Sequence, residues 1–200
     1  MIQLSDREIR DERLELNDRT QLYSLGQNLT LRRCTLVVDV PARFLSITGA
    51  RLIDCTIDAK RELVDFRWEK ARLEGCRFTG RLNGNDFGSW PYAEHPQLGG
   101  IEDCDFTAAH LDGCRFIGCD VSTLRLPAWP CFTLLDPVGK KDALAALQWP
   151  GQLGAVMRSL SRSPPTTAAV TLSASRLLRD CGVTPDAFLA ALERLDGVIM

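Results

Sequence analysis

The side chains best suited to chemistry in this chain are its eight cysteines and two histidines. Cys104, Cys114 and Cys119 form the densest group, and a metal centre is the first chemistry they suggest. Tetrahedral zinc sites draw ligands in close pairs such as Cys-x-x-Cys. Here nine residues separate the first two thiols and four the next two, and no Cys-x-x-Cys occurs anywhere. No metal or other cofactor is expected. Nucleophilic catalysis would have to use His95 or His110 as the base beside a thiol or hydroxyl. No Gly-x-Ser-x-Gly is present, and Gly84-x-x-x-Gly88 lacks the Gly-Lys-Ser/Thr of a phosphate loop. Glu102, Asp103, Asp105, Asp112 and Asp120 cluster against Arg115 alone. Acid–base work by such carboxylates needs an enclosing pocket. A solvated face and an acidic patch for a basic partner both fit them. The chain is expected not to be an enzyme.

The elements that must position these residues follow from an internal repeat. Segments 29–38, 50–59, 71–80 and 109–118 align, and 99–108 runs into the last of them. Cys34, Cys55 and Cys76 recur every 21 residues, as do Leu31, Leu52 and Leu73, and Leu36, Ile57 and Phe78. Within each segment the unit is five residues: a large apolar residue, with a small or thiol residue two places before it. Cys104-Asp-Phe106, Ala109-His-Leu111, Cys114-Arg-Phe116 and Cys119-Asp-Val121 show it most plainly. A spacing of two puts both residues on one side of an extended strand and turns the residue between them to water. A five-residue step has no helical stripe. The chain must turn a corner after each short strand, and four sides close a coil of about 20 residues. The thiols then point into the coil as small hydrophobes. Arg115 points out, so Arg115→Ala is expected to cost within about 0.5 kcal/mol.

These segments resemble the pentapeptide-repeat family, whose consensus is Ala-(Asp/Asn)-Leu-X-X with Cys often replacing Ala and Phe replacing Leu. The resemblance covers about residues 29–128 and implies a right-handed, four-sided β-helix. It is degenerate at 37–44 and 60–70 and fails at 81–98. The expected organisation is an N-terminal cap over 1–28, a β-helix over 29–128 interrupted by a loop at 81–98, and a helical region over 129–200. Helices are expected at 142–149, 152–162 and 168–181, with a fourth from the cap Thr184-Pro185-Asp186 to about Leu195.

Two features outside the repeat suggest binding. The 81–98 loop carries Phe87, Trp90 and Tyr92, and exposed aromatics anchor interfaces; they could equally tuck back onto the solenoid. The stripe Phe188, Leu189, Leu192 and Leu195 is read as core, with a homodimer contact through the C-terminal helices as the alternative.

Composition bounds the rest. Hydrophobic residues make up 45% and charged residues 25% of the 200, an ordinary globular balance. A net charge of −2 from 24 basic and 26 acidic residues excludes a general nucleic-acid binder, which needs a basic stripe. No apolar run reaches the roughly 20 residues of a membrane span, and the opening residues lack an apolar signal core. The expectation is a cytoplasmic, non-enzymatic protein-binding solenoid, such as a bacterial inhibitor or immunity protein that blocks a toxin. Its binding surface would join Phe87, Trp90 and Tyr92 to Glu102, Asp103, Asp105 and Asp112. The family also implies an alternative, a DNA mimic acting on a type II topoisomerase, which would need a continuous negative stripe.

Overall fold

A computed structural model describes residues 1–91 and 96–200. The chain is mainly β, a β-solenoid of about four turns followed by a unit that carries helices. The first coil holds β1 (Ile2–Leu4), β2 (Arg7–Arg10) and β3 (Arg13–Leu16); the second holds β4 (Tyr23–Leu25), β5 (Leu29–Arg32) and β6 (Thr35–Val38). Next come β7 (Leu45–Ile47), β8 (Ala50–Ile53) and β9 (Thr56–Val64), then β10 (Ala71–Glu74), β11 (Arg77–Asn83) and β12 (Asp86–Gly88). The last parallel strands are β13 (Gly100–Glu102), β14 (Asp105–Asp112) and β15 (Cys114–Ile117). They stack as parallel faces ordered β1-β4-β7, β2-β5-β8-β10-β13 and β3-β6-β9-β11-β14, while β12 pairs with β15.

The repeat sets the register. Leu31 lies beside Leu52, Leu52 beside Leu73 and Leu73 beside Ile101, while Leu36, Ile57 and Phe78 form the same column one face on. All are buried, and the arginines between them, Arg51 and Arg72, are exposed. Aromatic rings fill the C-terminal half of the solenoid. Trp68 stacks on Phe87 and Phe87 on Phe116, with centroids 6.0 and 5.4 Å apart; Phe78 stacks on Phe106 at 4.6 Å. The two columns touch edge to face, the geometry that ring quadrupoles favour.

One corner shows how the sequence turns the chain. Asp11, Arg33, Asp54, Gly75 and Asp103 follow one another coil by coil, each with φ between 51° and 62°. Side chains seldom adopt this left-handed conformation; Gly does so freely and Asp more readily than most. The acid at 103 is thus explained by backbone geometry.

The observed boundaries differ from those expected in three places. Residues 1–28 are no separate cap: β1, β2 and β3 pair with β4, β5 and β6 as a full coil. Alternating Leu4, Ile9, Leu14 and Leu16 supply its inward side, but charged neighbours hide the five-residue unit. The repeat does not stop at 81. Residues 81–88 continue β11 and form β12, and of the described residues that follow, 89–91 and 96–99 lie outside the strands. The mismatch arises from a bulge: Gly80 opposes Ala59 but Leu82 opposes Leu63, so Lys60, Arg61 and Glu62 face Arg81 alone.

The third correction concerns 129–200, which is not all helical. β16 (Cys131–Leu135), β17 (Thr167–Ser173) and β18 (Val198–Ile199) form antiparallel pairs, and β17 also pairs antiparallel with β15. The chain thereby closes the β12–β15 face with its own C-terminal strands. The helices are α1 (Lys141–Ala146), α2 (Leu153–Leu160), α3 (Ala174–Cys181) and α4 (Pro185–Leu192). The helix expected over 168–181 is a strand up to Ser173, because β15 pairs with Thr167 to Thr171 on one edge and β16 pairs with Ala169 to Ser173 on the other. A second core holds Phe132, Leu134, Leu144, Met157, Leu177, Phe188 and Leu192.

Candidate protein-binding surface

Phe87 is not an interface anchor. It lies fully buried between Trp68 and Phe116, as an inward residue of β12. Trp90, three residues on, has left the wall and is half-buried. The guanidinium carbons of Arg67 and Arg115 lie 5.8 and 5.5 Å from its ring centroid, within cation–π range. Tyr92, like His95, lies outside the described residues. The base of the insertion is pinned: Ser89 donates its amide to Ile117 and its hydroxyl to the Pro96 carbonyl at 2.8 Å. Gly99 closes the far side, where a Cβ would overlap the Glu69 and Gly88 carbonyls.

Arg115 does more than cover Trp90. Its Nε and Nη2 donate to the two carboxylate oxygens of Asp86 at 2.6 and 2.7 Å, and Asp86 is only 2% exposed. Such a bidentate pair fixes both partners. The sequence singled out neither residue for this role, since the two lie 29 positions apart and meet only through the β12–β15 register. Asn85 beside it is fully buried and satisfied. It donates to the Leu63 and Asn83 carbonyls and accepts from Trp68 Nε1.

The four acids of the expected face are divided by the structure. Glu102 and Asp103 are exposed. Asp105 is largely covered and accepts from Thr107 and from Arg77 at 3.2 Å. Burial alone would raise its carboxyl, but these hydrogen bonds outweigh burial and hold it below the ordinary value. Asp112 is buried and turned toward the C-terminal unit: it accepts from the Ser173 amide at 3.1 Å and from Arg176 at 2.7 Å. It therefore caps α3 from another element and ties that helix to the solenoid. Asp105 and Asp112 are corrected from free surface charges to structural ones.

A cleft of about 560 Å³ opens between the solenoid and α3, lined by Glu62, Arg81, His110, Asp112, Ser175 and Arg176 among others. His110 Nδ1 stands 3.7 Å from Cys131 Sγ. That thiol is buried, pushed above its ordinary value by burial, and donates to the Leu111 carbonyl. This favours the neutral thiol over the thiolate that a nucleophile requires. In the repeat, a hydrogen bond with Cys76 holds Cys104 below its ordinary value, whereas the other thiols are raised like Cys131. Cys55 and Cys76 point inward and donate to carbonyls of the preceding coil, and burial pushes Cys114 up to about 12 and Cys119 up to about 11.

The stripe Phe188, Leu192 and Leu195 faces the chain's own second core, with Phe188 edge-to-face on Phe132 at 5.3 Å. Leu189, the fourth residue of the stripe, is half-buried. No protein-family model matches the chain, and no curated protein matches it.

Proposed function

We propose that the chain is a pentapeptide-repeat solenoid that acts as a non-enzymatic, cytoplasmic protein-binding protein of the inhibitor or immunity type. The observation that carries this reading is the 89–99 insertion. The wall runs to Gly88 in β12 and resumes at Gly100 in β13, both strands in their places in the stack. The coils therefore stack without needing the insertion, and at its base Trp90 lies within cation–π range of Arg67 and Arg115. A rigid scaffold loses little entropy on binding, and a half-buried Trp with Arg neighbours is the composition of a binding hot spot. The exposed Glu102 and Asp103 are the acids left for a basic partner.

The outward charges support this reading over DNA mimicry. Arg33 pairs with Asp11, Arg51 with Glu74, Arg77 with Asp105 and Arg115 with Asp86, each across neighbouring coils. A DNA mimic calls for acids in an unbroken stripe, not alternating with arginine.

The test is capture of partners from a bacterial lysate by the intact chain, by Trp90→Ala and by a variant with 90–98 replaced by a short glycine linker. A protein held by the intact chain and lost by both variants supports the reading. Equal retention by the linker variant overturns it.

A further inference from the structure

The two ends of the solenoid are unlike. At the C-terminal end β17 lies across β15 and the second core follows. At the N-terminal end β1, β2 and β3 are each hydrogen-bonded on one side only, to β4, β5 and β6. Their other edges carry free backbone donors and acceptors among the described residues. The inward residues there, Leu4, Ile9 and Leu14, are only half-covered, and Met1 and Ile2 are 72% and 40% exposed. Open edges over an unfinished apolar core are a template for another strand layer.

The charge sequence of this coil selects the occupant. Consider a twofold axis through Ile9, perpendicular to the solenoid axis. Residue 9 + n then faces residue 9 − n of a second copy, and facing strands run antiparallel. Leu14 meets Leu4, and Leu16 meets Ile2, so the apolar side is matched. Arg10 meets Glu8 and Asp11 meets Arg7, and symmetry makes each pairing twice. Asp6 and Glu12 meet a like charge; like Asp11, they lie at the corners between strands. In the single chain Glu8 pairs with Arg10 at 2.8 Å and with Arg32 of the next coil at 3.3 Å, and Asp11 pairs with Arg33 at 2.7 Å, so a second copy would add to these pairs at the exposed ends of Glu8, Arg10 and Asp11.

We propose that the β1–β3 end is a homodimer interface at which two copies of this chain stack coil on coil about a twofold axis near Ile9. The interface is isologous. The closed C-terminal ends stop growth at two copies, so the product is a dimer and not a fibre.

Sedimentation or light scattering of the full chain tests this. The intact chain should show twice its 22.2 kDa mass, falling to one mass on dilution. Glu8→Arg places two like-charged pairs at the axis, as does Arg10→Glu, and each variant alone should stay at one mass with an unchanged circular dichroism spectrum. An equimolar mixture of the two restores opposite charges at both positions and should return to the doubled mass. A chain monomeric at every concentration overturns the proposal. So does a dimer that survives both single substitutions, and so does a mixture that stays monomeric.

Discussion

Removing Arg115 should destabilise the solenoid well beyond the 0.5 kcal/mol that an outward repeat position suggests. Asp86 is held by two charge-assisted bonds from Arg115, and 3% of its side chain is exposed. Breaking a buried ion pair by deleting one partner costs about 3–5 kcal/mol, since the other charge is left uncompensated. Arg115 is 32% exposed, so water reaches part of the site and the expected cost is about 2–3 kcal/mol. Asp86→Ala should cost less, because the freed arginine can turn to solvent. The double substitution should cost clearly less than the sum of the two, a coupling of about 1–2 kcal/mol. Urea denaturation followed by far-ultraviolet circular dichroism measures all three. An Arg115→Ala cost under about 0.5 kcal/mol, or additivity across the cycle, would refute the argument.

Three other outcomes follow from the same geometry. Phe87→Ala should cost about 3–5 kcal/mol, because it opens a cavity between Trp68 and Phe116, whereas Trp90→Ala should cost under about 1 kcal/mol; equal costs would contradict the burial difference. Asp112→Ala should cost about 2–3 kcal/mol, from a lost helix cap and a charge-assisted bond, and should speed amide exchange in α3 ahead of β10; unchanged α3 exchange would contradict its docking role. Glu69 is buried, its Oε2 finds no partner among the described residues, and burial raises its carboxyl above 4.5. A raised folded-state value means that stability is full below the unfolded value and is lost as pH rises through the folded one. Stability should therefore decline as pH rises above about 4.5, and Glu69→Gln should remove that part of the decline; a pH profile unaltered by the substitution would count against it.

The solenoid was legible in the sequence because its core is written locally. Each five-residue unit carries its own inward pair, so Cys34, Cys55 and Cys76, or Leu31, Leu52 and Leu73, announce a column by spacing alone. The left-handed corner residues Asp54, Gly75 and Asp103 add a second local signal. Where that writing is irregular, reading failed. The first coil keeps its apolar spacing but fills the small-residue positions with Arg7 and Glu12, and three residues opposite Arg81 hid the continuity of β11. What only the tertiary structure decided are the pairings between distant segments. Asp86 finds Arg115 through the stacking of β12 on β15, and Asp112 finds Ser173 and Arg176 more than sixty positions away. Whether an acid is a surface charge or a buried tie depends on what the chain later lays over it. Phe87 and Trp90 differ by three positions, yet one is core and the other surface, because the chain leaves the wall between them. The strand at 167–173 was likewise decided by the edges of β15 and β16, since a short apolar run suits helix or strand until a neighbour supplies the hydrogen bonds.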